Sequence, residues 1–177
     1  MLMLETDLSR FDAITVAMLI ESLPASWQER ILRKKAVFAR TQSAVGYALL
    51  RMILQSEYGV YELPDIETDA HGKPFFVDSD LFFSISHSDV AVACIVEEAP
   101  VAVDVQTLLV DKDARFYERI GASPALDASA LTALWTQKEA SAKLDGQGLS
   151  LSLPSLPLPH HRLETTDYGG FVISIAR

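Results

Sequence analysis

Only one cysteine occurs in the 177 residues: Cys94, inside the apolar run V-A-V-A-C-I-V. That excludes an intrachain disulfide and a cysteine metal centre, and an inert buried thiol is expected. Long hydrophobic runs are also missing. No stretch approaches the ~20 apolar residues a membrane span requires. The start M-L-M-L-E-T-D-L is acidic where a secretory leader is basic. A cytoplasmic protein with no membrane partner is expected. Positive charge is scarce, with 15 Lys and Arg against 24 Asp and Glu and a net charge of -9. A phosphate backbone rewards clustered cations, so nucleic acid is not an expected partner. There is no Gly-x-Ser-x-Gly elbow. Ser86-His87-Ser88-Asp89 does not replace it, because neighbouring strand residues point to opposite faces and Ser86 cannot easily share a proton with His87. A turn with a hydrogen-bonded histidine is the simpler reading.

The remainder is half apolar, enough for one core or two half-cores sharing an interface. Val45, Leu49, Met52 and Ile53 recur at helical spacing from Gln42 to Tyr58, and Gly59 supplies a stop. Turn residues at His71-Gly72-Lys73-Pro74 precede F-F-V. L-F-F-S-I-S-H-S-D-V-A-V-A-C-I-V then reads as two strands bent at Ser86–Asp89. After Pro100, V-A-V-D-V-Q alternates, with Val101, Val103 and Val105 on one face and Ala102, Asp104 and Gln106 on the other. Ser123-Pro124 is a helix start, Leu131, Leu134, Trp135 and Ala142 fit a helix ending near Gly146, and F-V-I-S-I-A-R closes as a strand. L-S-L-P-S-L-P-L-P-H-H-R between them reads as proline-punctuated loop or edge strand, with His160 and His161 as solvent-exposed residues. There is no tight short-period repeat. The expected class is α+β, in two halves, 1–99 and 100–177, that meet near Pro100.

Three features carry chemistry. Between Arg30 and Arg51 lie six basic residues and no acid, which either form a solvated face or receive an anionic ligand. Glu139 lies one helical turn beyond Trp135, and Lys143 one turn beyond Glu139. That spacing fits a surface ion pair worth a few tenths of a kcal/mol. A core-facing Trp135 would instead bring Glu139 to the core boundary, where a carboxylate needs a cation or hydrogen bonds. Asp104, in a strand that otherwise packs well, raises the same problem. A strand Asp with a helix Glu is a set that suits Mg²⁺.

Taken in order, G-K-P at Gly72–Pro74, F-S-I-S-H-S at Phe83–Ser88, V-A-V-D-V-Q at Val101–Gln106 and W-T-Q-K-E-A-S-A-K at Trp135–Lys143 resemble a known family, the 4′-phosphopantetheinyl transferases of the larger, pseudo-dimeric type. Gly146-Gln147-Gly148-Leu149-Ser150 completes the last motif, and R-x-Q-S-x-x-G-x-x-L-L-R from Arg40 to Arg51 resembles the family's first-half helix. The resemblance implies two similar α+β halves in a pseudo-twofold arrangement with a cleft between them, in a monomer. It implies transfer of phosphopantetheine from coenzyme A to a serine of an apo acyl or peptidyl carrier protein, releasing 3′,5′-ADP, in fatty acid or polyketide biosynthesis. By the same resemblance, Arg30, Arg33 and Arg40 meet coenzyme A phosphates. Lys73, Ser86 and His87 contact the nucleotide, with His87 facing the 3′-phosphate, and Ser43 lies near the adenine. Asp104 and Glu139 hold Mg²⁺ against the pyrophosphate. Glu139 also serves as the base for the carrier serine, and Lys143 stabilises the leaving phosphate.

The family pattern is broken at three positions. Ser84 stands for Asn, Ala102 for Gly, and Gln106 for the acidic residue two after Asp104. The first two are expected to alter packing, and the third removes one charge from the metal set Asp104, Glu139 and Gln106. The segment around Arg115-Phe116-Tyr117, where the family meets its carrier, is trimmed. Two other classes stay open: a degenerate relative that binds coenzyme A or a carrier without chemistry, and a plain interaction module.

Overall fold

The computed structural model describes residues 1–146 and 161–177. Chain order is β1 (Leu2–Glu5), a short 3-10 turn (Leu8–Arg10), α1 (Ala13–Glu21), α2 (Ala25–Leu32), α3 (Val37–Glu57), β2 (Ile66–Thr68), β3 (Pro74–Phe76), β4 (Phe82–His87) and β5 (Val92–Glu97). The second part runs β6 (Ala102–Thr107), α4 (Ala114–Ile120), α5 (Ala128–Leu144), β7 (Leu163–Asp167) and β8 (Phe171–Ala176). The class is mixed α+β with antiparallel sheets, as the sequence implies.

Two three-stranded sheets organise the chain, in the orders β1-β5-β4 and β6-β8-β7. In each, an initial strand pairs with the final one, whose other edge takes the preceding strand as a hairpin partner. Helices α1 to α3 cover one face of the first sheet around Trp27, Ile31, Leu50, Val92 and Cys94. Its other face, with Ala91, Ala93 and Ile95, packs on Val101, Val103, Val105, Ile173 and Ile175 of the second sheet. The period-2 pattern of β6 therefore places its valines between the sheets and turns Asp104 toward α5. Cys94 is fully buried, and loss of water raises its thiol pKa.

The edges of β4 and β6 lie side by side, and serine hydroxyls join them in place of a backbone ladder. The Val103 amide donates to Ser84 Oγ at 3.1 Å and the Val105 amide to Ser86 Oγ at 3.2 Å. These bonds satisfy amides that a buried strand edge would otherwise leave unpaired.

Several boundaries differ from the sequence reading. Helix α3 begins at Val37, five residues before Gln42. Helix α5 begins at Ala128 rather than at Ser123-Pro124. Asp127 caps it by accepting from the Ala130 amide at 2.8 Å, while Ser123 closes its own turn onto the Ala125 amide. The sequence pattern marks none of helices α1, α2 and α4 or strands β1, β2 and β7. Gln147, Gly148, Leu149, Ser150, His160 and the proline-punctuated tail lie outside the described residues.

Gly46 fixes how closely α3 approaches the first sheet. A Cβ there would lie 2.7 Å from Ile85 Cγ2, an atom on a β-branched side chain that cannot swing aside freely. Gly46→Ala gains about 1 kcal/mol of helix propensity and incurs overpacking of about 1–3 kcal/mol. A net loss of roughly 1 kcal/mol is expected in urea unfolding. An unchanged or higher midpoint would show that Ile85 yields at no cost.

Candidate active site

Three adjoining recesses form one cleft along β4, and each includes Ile85. The first, of about 380 Å³, is walled by α2 and α3 and contains Arg30, Arg33, Lys34, Ser43, Tyr47 and His87. Arg30 anchors this wall by donating to the Ile66 carbonyl at 2.8 Å. Exposed at its surface but set among protein atoms, His87 is held below its ordinary pKa. The main cause is loss of water, followed by the charges of Lys143 and Lys34. A neutral imidazole there can hydrogen-bond an anion or gain a proton when one arrives.

The second recess carries Lys73 on the β2–β3 turn, beside Lys143 and Gly146. Asp69 Oδ1 accepts from the His71 amide at 2.8 Å and the Lys73 amide at 2.9 Å, a local closure that needs φ +84° at Gly72. Lys73 Nζ then reaches the Leu144 carbonyl at 3.1 Å, at the C-terminal end of α5, where the helix dipole favours a cation. Desolvation lowers its pKa despite the nearby Asp69 and Asp145.

The third recess, of about 360 Å³, contains Ser86, Asp104, Gln106, Trp135, Glu139 and Lys143. Lys143 does not pair with Glu139, four residues before it. Its ammonium donates to Asp104 Oδ1 at 2.6 Å, Ser86 Oγ at 3.0 Å and the Val103 carbonyl at 3.2 Å. Ser86 also donates to Asp104 Oδ1 at 2.9 Å. Glu139 is 4% exposed, and its Oε1 is buried without a hydrogen-bond partner. Burial first, and the Asp104 charge second, push its pKa up to about 7, against the opposing pull of Lys143 and Arg119. The surface-pair reading of Glu139 and Lys143 therefore fails. Trp135 is half-buried, stacked on Phe116 with ring centroids 5.4 Å apart and covered by the Arg119 guanidinium at 5.9 Å.

Of the residues picked from sequence, Arg30, Arg33, Ser43, Lys73, Ser86, His87, Asp104, Gln106, Glu139 and Lys143 share this cleft. Arg40 does not. It donates to the Lys34 carbonyl at 3.1 Å and lines a separate groove with Val16 and Ile20 of α1. Ser86 is 5% exposed and held by Asp104, Lys143 and the Val105 amide, so it builds the wall more than it faces the opening.

Two residues went unassigned. Lys34 was legible as part of the basic run, but only the cleft places it beside His87. Lys138 is buried and donates to the Ile120 carbonyl at 2.7 Å, fastening the C-terminal end of α4 to α5. Its position next to Glu139 in W-T-Q-K-E was the one signal for it.

The two carboxylates suit a divalent cation. An unpartnered buried carboxylate oxygen next to a second carboxylate is a position where added positive charge is favoured. With Gln106 the donors are oxygens, which suits Mg²⁺. Among the described residues no cluster of three or more His, Cys, Asp or Glu forms a metal cage, so substrate oxygens or waters would have to complete the shell.

No family model matches the chain. Curated relatives do. The 4′-phosphopantetheinyl transferase gsp of Aneurinibacillus migulanus is 27% identical over 155 residues, covering 80% of this chain and 63% of the relative. The 4′-phosphopantetheinyl transferase Sfp of Bacillus subtilis is 30% identical over 133 residues, 68% of this chain and 59% of the relative. The psf-1 transferase of Bacillus pumilus is 31% identical over 125 residues, 64% and 54%. The chain thus spans less than two thirds of the length of these curated relatives. With the ordered motifs lying along a single cleft, these matches make the chain a distant homologue of the Sfp-type 4′-phosphopantetheinyl transferases.

Proposed function

We propose that the chain transfers the 4′-phosphopantetheine group of coenzyme A to a serine of an apo acyl or peptidyl carrier protein, releasing 3′,5′-ADP in a Mg²⁺-dependent reaction. One observation carries this reading: a single cleft has cations at one end and two carboxylates at the other, of which Asp104 is paired with Lys143 and Glu139 keeps a buried oxygen without a partner. Coenzyme A is polyanionic at its nucleotide end and carries a diphosphate between that end and the pantetheine. Arg30, Arg33, Lys34 and His87 suit the 3′-phosphate, Lys73 suits the diphosphate, and Ser43 lies where the adenine would enter. Asp104 and Glu139, with the Gln106 amide oxygen, would hold Mg²⁺, which supplies charge neutralisation to the diphosphate.

Glu139, in the same recess as Asp104 and Lys143, is the carboxylate placed to accept the proton of the carrier serine hydroxyl. The serine oxygen attacks the phosphorus bearing pantetheine, the P–O bond to 3′,5′-ADP breaks, and Lys143 donates a proton or hydrogen bond to the leaving phosphate. The equal strand order of the two sheets supports two similar halves, 1–99 and 100–177, in a pseudo-twofold arrangement, and the proposed active form is a monomer. Among the described residues no helix is long and apolar enough to cross a membrane. A cytoplasmic location in fatty acid or polyketide biosynthesis accords with this function.

Incubation with Mg²⁺, coenzyme A and apo carrier, followed by weighing the carrier, tests the proposal. A mass gain of one phosphopantetheine supports it. The absence of Glu or Asp at position 106 favours a second reading, a binding module without chemistry, which would bind coenzyme A and leave the carrier mass unchanged. Gln106 is half-buried, and its Nε2 donates to the Thr107 carbonyl at 3.3 Å. Gln106→Glu adds an anionic ligand to the same wall, so half-saturation should need several-fold less Mg²⁺. Superimposable Mg²⁺ titration curves would place residue 106 outside the metal shell.

A further inference from the structure

We propose that Lys143 is a built-in counter-ion that closes the carboxylate pair to free divalent cations, so that the site takes its metal only together with a diphosphate-bearing ligand. This rests on Asp104 and Glu139 being the metal carboxylates. An ammonium has three donors, and Lys143 uses all three, on Asp104 Oδ1, Ser86 Oγ and the Val103 carbonyl. A divalent ion on that Asp104 oxygen would stand within a few ångströms of the ammonium, and at that range like-charge repulsion outweighs what one carboxylate oxygen returns. Glu139 Oε1 stays buried without a hydrogen-bond partner, because the Lys143 ammonium is committed to Asp104.

The ammonium has somewhere to go. Its side chain is 32% exposed, and it also lines the recess of Lys73, where ligand phosphates would gather. A diphosphate there offers several anionic oxygens in exchange for the one on Asp104. Ser86 would remain. It is anchored by the Val105 amide and donates to Asp104 Oδ1, so the carboxylate stays aimed after the ammonium leaves. The metal position would then open only when the phosphates to be neutralised have arrived, and the lysine that leaves Asp104 would already sit on the leaving group.

The test measures free Mn²⁺, a spectroscopic stand-in for Mg²⁺, by electron paramagnetic resonance, with and without coenzyme A. Wild type alone should bind Mn²⁺ weakly, and coenzyme A should tighten binding at least about tenfold. Lys143→Met alone should bind Mn²⁺ at least about tenfold tighter than wild type alone, because the competing charge is gone. Lys143→Gln, which can still donate to Asp104, should do the same if the methionine variant fails to fold. Lys143→Arg, keeping the charge, should stay weak. If Met and Gln variants bind no tighter than wild type, while coenzyme A still tightens Mn²⁺ in a manner lost in Asp104→Asn, the counter-ion role is overturned and the metal assignment stands. If coenzyme A and Asp104→Asn both leave Mn²⁺ binding unchanged, the metal assignment fails and the counter-ion role fails with it.

Discussion

Glu139→Gln is expected to abolish carrier modification and, at pH 8, to make the protein more stable. The loss should be roughly a thousandfold or more, because an amide neither accepts the serine proton nor contributes an anionic ligand. The stability gain follows from linkage. A carboxyl raised from 4.5 to about 7 by burial and by Asp104 holds its proton in the fold across a range where the unfolded chain has released it. Native stability from this group therefore falls as pH rises from about 4.5 to about 7 and is flat above. The ionised side chain costs at most about 3 kcal/mol at pH 8. Glutamine removes that cost but buries an extra N–H pair, so a net gain of about 1–2 kcal/mol is expected. It should close at pH 4, where the wild-type carboxyl is protonated in both states. Urea unfolding at the two pH values measures this. Equal stability at pH 8, or a gain that persists at pH 4, would mean that Glu139 is not the strained carboxylate described.

The hairpin β4–β5, strands β6 and β8 and most of helix α3 were legible because each rests on local periodicity, while the outer strands β1 and β7 were not. Val101, Val103 and Val105 alternate against Asp104, and the structure puts them between the sheets. Helices α1 and α4 were not legible for opposite reasons. In α1 apolar residues spread around the helix, leaving Ile14 72% and Met18 66% exposed, so no single stripe marks it. α4 is seven residues long, too short for a stripe, and the Asp113 cap on the Phe116 amide was its one signal. At the site, residue types were readable and partnerships were not. Spacing joins Glu139 to Lys143, but the fold joins Lys143 to Asp104, 39 positions away, because strand β6 brings a buried carboxylate closer than the helix's own surface does. Ser84, in the place of the family's Asn, holds the Val103 amide across the sheet edges, a role no local pattern announces.

Asp104→Asn should abolish transfer to a similar extent but move stability the opposite way, which separates two carboxylates that sequence alone treats as equivalent. Asp104 is the satisfied member of the pair, accepting from Lys143 and Ser86. Removing one partner of a buried ion pair costs about 3–5 kcal/mol when the other charge stays trapped. Lys143 is not fully trapped, since a third of its side chain meets water, and it can turn one helical step toward Glu139. The expected loss at pH 8 is accordingly about 1–2 kcal/mol. The turn to Glu139 has a second consequence. With Asp104 neutral, the repulsion that helps raise the Glu139 pKa disappears and a cation approaches it, so that pKa should fall toward its ordinary value. Stability of Asp104→Asn should therefore depend less on pH between about 4.5 and 7 than that of the wild type. Unfolding curves across that window, with and without Lys143→Met in the same chain, give the coupling directly. If Asp104→Asn matched the wild type in stability and in pH slope, the 2.6 Å contact would contribute nothing in solution, and Lys143 would be free to serve Glu139 from the outset.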